Sequence, residues 1–168
     1  MIPSVGMQLE GFSAVESLPA DVGFMELALG AASYAGRIGE VPIGAVVVFR
    51  GEILARAHNA PILLGDPTAH AEVLALREAA RRVQNYRLPG ATLYVTVEPC
   101  VMCVGAMVQA RVARVVFGCS DPKAGALGSV YDLAAGRQTN HRFHVIRGIC
   151  AEEARRLLQE FFQLRRGA

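Results

Sequence analysis

The segment Gly44–Phe49 reads GAVVVF, an unbroken apolar run rich in β-branched side chains. Such a run favours a strand buried on both faces over a helix. Arg50-Gly51-Glu52 follows as a turn and Ile53–His58 as a second strand, so the pair predicts a β-hairpin. From there the pattern changes to helices alternating with strands. A helix is expected over about Ala69–Val83, a strand over Ala91–Val97 (ATLYVTV) and a helix from near Cys100. Short strands are expected over Arg114–Gly118 (RVVFG) and Phe143–Arg147, and an amphipathic helix over Ala151–Leu164. Ahead of the hairpin, Asp21 can cap a first helix that runs to Arg37, with Phe24, Leu27, Ala28, Ala31 and Ala35 on its buried side. The connection Asn59–Thr68, with Pro61, Gly65 and Pro67, is expected as a loop. A hairpin feeding alternating helices and strands predicts an α/β fold: a mixed five-stranded sheet with helices on both faces, a three-layer α/β/α sandwich.

The length suits one such unit. At 168 residues and 52% hydrophobic the chain can bury a large core without staples. Residues 1–20, with Pro3, Gly6, Gly11 and Pro19, are expected as a mobile leader, and 21–168 as a single domain. No stretch approaches the ~20 apolar residues of a membrane span, so no membrane association is expected. The first basic residue is Arg37, which leaves no positive n-region and no Arg-rich transit segment; a cytoplasmic location is the expectation. The four cysteines then point to metal or redox chemistry rather than to a disulfide framework.

His70, Cys100 and Cys103 have the chemistry for one metal ion. Cys100 and Cys103 are three apart, so on a helix they share a face, and Pro99 fits a helix start whose free N–H groups stabilise thiolates. Two thiolates and an imidazole neutralise Zn²⁺, and three ligands leave a fourth position open, the mark of a catalytic site. By itself a Cys-x-x-Cys reads equally as a redox pair or as two buried thiols, and a single histidine at a helix start reads as a cap. Glu72, two residues after His70, and Pro99, directly before Cys100, change the weighing. Together they complete H-x-E…P-C-x-x-C, the signature of zinc nucleobase deaminases, in which the glutamate carries protons and is not a ligand. Cys119 and Cys150 lack spacing to the site and read as small buried thiols.

At these residues the chain resembles the bacterial tRNA-specific adenosine deaminases, a branch of the cytidine deaminase-like superfamily. The resemblance spans about residues 21–166. It rests on VPIGAVVV (Val41–Val48), DPTAHAEVLALR (Asp66–Arg77), NYRL (Asn85–Leu88) and ATLYVTVEPCVMC (Ala91–Cys103). Gly105–Met107, Arg114–Gly118, Asp121-Pro122-Lys123, Gly128-Ser129 and Asn140–Arg142 also fit. The zinc signature alone indicates the superfamily; the flanking segments indicate the tRNA branch.

The resemblance implies one Zn²⁺ per subunit, a homodimer, and deamination of adenosine to inosine at the wobble position of a tRNA anticodon stem-loop. It further implies that Asn59 hydrogen-bonds the flipped base, that the Ala71 N–H helps orient the ring, and that Val41 and Val97 wall the base pocket. Asp121 and Lys123 match positions that contact anticodon-loop nucleotides, and Phe162, Arg165 and Arg166 match an RNA-contacting tail. Plainer readings stand beside these. Asn59 also suits an Asx-turn and Asp121-Pro122 a simple turn, while Phe161 and Phe162 near the end of an amphipathic helix suit the core. His58 stands where a bulkier aromatic is common beside the base-binding asparagine.

Charge distribution agrees with an RNA partner. Residues 1–40 hold five acids and one base, whereas residues 101–168 hold five acids and ten bases. A basic C-terminal third complements phosphate, and a loop base costs little to flip because it is already partly unstacked. Two competing readings are a deaminase of a free nucleobase or nucleoside (guanine, cytosine or cytidine), using the same zinc site, and a catalytically silent RNA-binding subunit. The absence of Trp and the basic tail count against the first, and the presence of Glu72 against the second.

Overall fold

The computed structural model describes residues 18–135 and 139–167; of the leader expected at residues 1–20, all but Leu18, Pro19 and Ala20 lie outside the described residues. The elements run α1 (Asp21–Arg37), β1 (Gly44–Phe49), β2 (Glu52–His58), α2 (Pro61–Leu64) and α3 (Ala71–Val83). They continue with β3 (Thr92–Val97), α4 (Val101–Ala110), β4 (Arg114–Cys119), β5 (His144–Arg147) and α5 (Ala151–Arg166). The five strands form one sheet in the order β2-β1-β3-β4-β5. β1 pairs antiparallel with β2 and β3, while β4 pairs parallel with β3 and β5, so the sheet is mixed.

Side chains alternate between the two faces of each strand, which sorts the core into layers. Val47, Leu93, Val95, Val115 and Phe117 pack with Ala75 and Ala79 of α3 and with Val104 and Met107 of α4. The intervening residues Val46, Val48, Tyr94 and Val116 face Met25 and Ala28 of α1. Ala154 of α5 packs on the strand ends at Val97 and Cys119. A side chain at Gly44 would place its Cβ 2.0 Å from the Ala28 carbonyl oxygen, so only glycine lets α1 lie this close to β1.

Two local expectations are corrected. Part of the loop Asn59–Thr68 is the short helix α2, started by Pro61 at its first turn and ended by Gly65 in the left-handed region. Asp21 does not cap α1; the cap position is Ala20, and Asp21 is the first helical residue. Its buried carboxylate instead receives Arg114 through two bonds of 2.8 and 2.5 Å and the Tyr94 hydroxyl at 2.8 Å. A guanidinium this deep in the core requires an anion beside it, and that demand outweighs a local cap. The Leu18 N–H also donates to this carboxylate, at 2.7 Å.

Candidate active site

The sheet brings the starts of two helices together. His70 is the cap residue of α3 and Cys100 that of α4, both with extended backbone. Cys103 lies one turn into α4 and is fully buried. His70 Nδ1 is 3.7 Å from Cys100 Sγ and 3.5 Å from Cys103 Sγ, and the two sulfurs are 3.7 Å apart. With Zn–S of about 2.3 Å and Zn–N of about 2.0–2.1 Å, tetrahedral geometry requires S···S of ~3.8 Å and S···N of ~3.6 Å. The triangle therefore fits zinc, and it is the only such cluster of three or more His, Cys, Asp or Glu side chains among the described residues. Cys119, buried at the end of β4, and Cys150, half-buried at the start of α5, stand apart from it.

The three donors are electrostatically coupled. The side-chain hydrogen bond between Cys100 and Cys103 lowers the Cys100 thiol to about 4; burial opposes this and His70 assists it. Cys103 is pushed up by that same bond and by burial. The bond to Cys100 also raises His70, against the effect of burial, with the Glu72 charge adding to the rise.

Glu72, in the first turn of α3, is 4% exposed. Burial raises its carboxyl above the ordinary carboxylate range, with the α3 backbone and His70 opposing. Its Oε2 has no hydrogen-bond partner among the described residues. A buried, unsatisfied carboxylate oxygen beside a three-donor metal triangle is chemically poised rather than structurally spent.

The chain matches the model of the cytidine and deoxycytidylate deaminase zinc-binding region over residues 19–119. It is 47% identical to the tRNA-specific adenosine deaminase of Haemophilus influenzae, over 87% of this chain and 85% of the relative. The chain belongs to the tRNA-specific adenosine deaminase family. A solved structure from work on A-to-I editing by tRNA:A34 deaminases superposes with a TM-score of 0.79 at 44% identity, covering 81% of this chain and 99% of that one. The guanine deaminase of Bacillus subtilis is further away, with a TM-score of 0.58 at 32% identity over 72% of this chain and 82% of that one. The mixed sheet and the Zn²⁺ site are thus those of a zinc-binding deaminase domain.

In this family member, Asn59 is 5% exposed, and its Oδ1 accepts the Ala71 N–H at 2.9 Å. The two groups expected at the base, the Asn59 side chain and the Ala71 N–H, are thus paired with each other. The bond fixes the Asn59 amide, with Oδ1 already engaged by the backbone and Nδ2 as its remaining donor group. It also ties the end of β2 to the start of α3. His58 packs against Tyr34 in a tilted ring contact, with centroids 5.0 Å apart.

The seven remaining predicted residues meet in one place. Val41, Val97, Asp121, Lys123, Phe162, Arg165 and Arg166 all line a cleft of about 720 Å³ between the ends of β3 and β4 and the last three turns of α5. None of His70, Glu72, Cys100 or Cys103 lines this cleft; Val97, three residues before Cys100, is its link along the chain. Phe162 is 45% exposed, while Phe161 is 9% exposed, so the pair divides between cleft and core. Arg165 is already engaged: it donates to the Gly39 carbonyl and stacks over Phe161 at 4.5 Å. Arg155, Leu158 and Gln159 also line the cleft and escaped the sequence reading. Their signal was the helical spacing that places 155, 158, 159, 162, 165 and 166 on one face of α5.

Proposed function

We propose that this chain hydrolytically deaminates adenosine to inosine at the wobble position of a tRNA anticodon, with His70, Cys100 and Cys103 holding zinc and Glu72 carrying protons. The observation that carries this reading is the three-donor triangle with, beside it, a buried Glu72 oxygen that has no partner among the described residues. Zinc, when bound, supplies Lewis acidity that brings the ionisation of water from pKa 15.7 to ≈7. The Glu72 carboxylate takes one proton from the attacking water and delivers it to N1 of the purine, which makes C6 electrophilic. It then takes the second proton from the added hydroxyl and gives it to the departing amine, so ammonia leaves and a C6 oxo group remains. One group acts as base and acid in turn, and its raised pKa suits both tasks.

Asn59 holds the flipped base through its remaining amide donor, with Val41 and Val97 as walls, and Ala71 acts by fixing Asn59. The anticodon backbone follows the cleft, whose lining carries Lys123, Arg155, Arg165 and Arg166 against the single acid Asp121. Such a balance favours phosphate, and the exposed Phe162 ring offers a stacking surface for a loop base. The protein works as a homodimer in the cytoplasm. Ile62, Leu63 and Leu64 on α2 are 69%, 66% and 56% exposed, an apolar cluster on the connection between Asn59 and His70 that suits burial by a second copy. Among the described residues, no helix is long and apolar enough to cross a membrane.

Deamination of a free purine is the second reading, supported by the likeness to the Bacillus subtilis guanine deaminase. One experiment separates the two. Wobble inosine should form in an anticodon stem-loop carrying A34, and not in a scrambled-loop control or from free adenosine, cytidine or guanine. Ammonia release from a free base, with no inosine in RNA, would move the protein to the small-molecule branch.

A further inference from the structure

One buried carboxylate next to the metal site takes no part in the chemistry above. Glu98 follows the pocket wall Val97, lies two residues before Cys100, and is 3% exposed. Its Oε1 accepts the backbone N–H groups of Leu127 and Ser129, both at 3.0 Å. Its Oε2 accepts the Asp121 N–H at 3.1 Å and the Ser129 hydroxyl. Four donors from the loop between β4 and β5 thus converge on one side chain. Gly125 lies against the same carboxylate, and a Cβ there would sit 2.4 Å from both the carboxyl carbon and Oε2, so no other residue fits. The backbone zips the loop to the same strand end: the Ala126 N–H donates to the Pro99 carbonyl at 2.8 Å, and Gly125 forms a bridge with Cys100. The Asp121-Pro122-Lys123 and Gly128-Ser129 segments, which stand apart in the sequence, are the two ends of this assembly.

We infer that Glu98 is a positioning residue for RNA recognition, holding the cleft-lining loop that carries Asp121 and Lys123 in register with the metal-ligand segment at Cys100. It touches neither base nor metal. The inference rests on the anticodon-loop reading of the cleft. A carboxylate suits the role because all four groups facing it donate. Glu98→Gln turns one acceptor oxygen into an NH₂ group. With Oε1 kept for Leu127 and Ser129, that NH₂ opposes the Asp121 N–H, donor against donor. The end of the loop that lines the cleft is therefore released first.

Glu98→Gln should retain one zinc per chain and raise KM for an anticodon stem-loop by about tenfold or more, with kcat changed by less than about threefold. Amide hydrogen exchange at Asp121 should quicken more than at Leu127. Ser129→Ala removes one donor of the four at an exposed position and should give a smaller shift of the same kind. An unchanged KM in a metallated Glu98→Gln protein would overturn the inference. If Glu98→Gln loses zinc or fails to fold, Ser129→Ala decides, and unchanged KM and unchanged exchange in that variant would overturn the inference equally. Absence of inosine with the unaltered protein would defeat the functional reading instead, while the exchange comparison would still test the hub.

Discussion

In the proposed mechanism Glu72 is the residue on which the chemistry turns: burial raises its carboxyl, and one of its oxygens has no partner among the described residues. Glu72→Gln keeps the volume and removes the proton carrier. It should bind zinc normally and lose turnover by about 10²–10⁴-fold, the usual contribution of a positioned acid–base group. Metal analysis beside an inosine assay checks both parts, and substantial turnover in this variant would refute the role. Cys103 makes a different demand. It is fully buried and completes the triangle at 3.5 and 3.7 Å from its partners, so Cys103→Ala should lose zinc and activity together. A metallated, active Cys103→Ala protein would sink the ligand assignment.

At the scale of elements, the seam between α1 and the sheet carries a buried charge cluster beside its apolar packing. Arg114 on β4 reaches Asp21 at the start of α1, with side-chain exposures of 10% and 1%. Removing one member leaves the other buried and uncompensated, so Asp21→Asn should cost about 3–5 kcal/mol in urea unfolding. Burial pushes the Asp21 carboxyl up, but the bonds from Arg114, the Leu18 N–H and the Tyr94 hydroxyl more than offset this and hold it below its ordinary value. A carboxyl depressed by folding adds stability above its unfolded pKa of about 3.9, and that contribution fades as pH falls through the lower folded value. The unaltered protein should therefore lose stability below about pH 4 more steeply than Asp21→Asn, whose residue at that position does not titrate. Parallel acid profiles for the two proteins would remove the cluster from the account.

For the molecule as a whole, charge asymmetry becomes a surface feature only once α5 packs against the strand ends. Lys123 lies on a loop after β4, yet it shares a cleft with Arg155, Arg165 and Arg166 from α5. Replacing both Arg165 and Arg166 with Gln should weaken stem-loop binding and flatten its dependence on log salt by about 0.7 for each phosphate that is no longer neutralised. Titrations between low and moderate salt would measure the slope, and an unchanged slope would show that the end of α5 does not meet phosphate. Arg165 retains donors for a phosphate even while bonded to Gly39, since a guanidinium offers five.

Most of the elements were legible from sequence alone because their signals are local. The β-branched apolar runs at Gly44–Phe49 and Thr92–Val97 and the amphipathic spacing of α5 are each patterns carried by neighbouring residues. The metal donors were legible for a related reason: thiolate, imidazole and carboxylate chemistry belongs to the residue type, and the spacing of the two motifs is visible in the chain. The partners of buried polar groups were not. Asp21 reads locally as a cap, but Arg114 lies 93 residues away; Glu98 carries no local signal beyond its place before Pro99, and its donors come from a loop beyond β4. The Ala71 N–H likewise pairs with an amide twelve residues back. Those pairings are set by which faces meet when the layers close, because a polar group removed from water must find whatever partner the packing brings within reach.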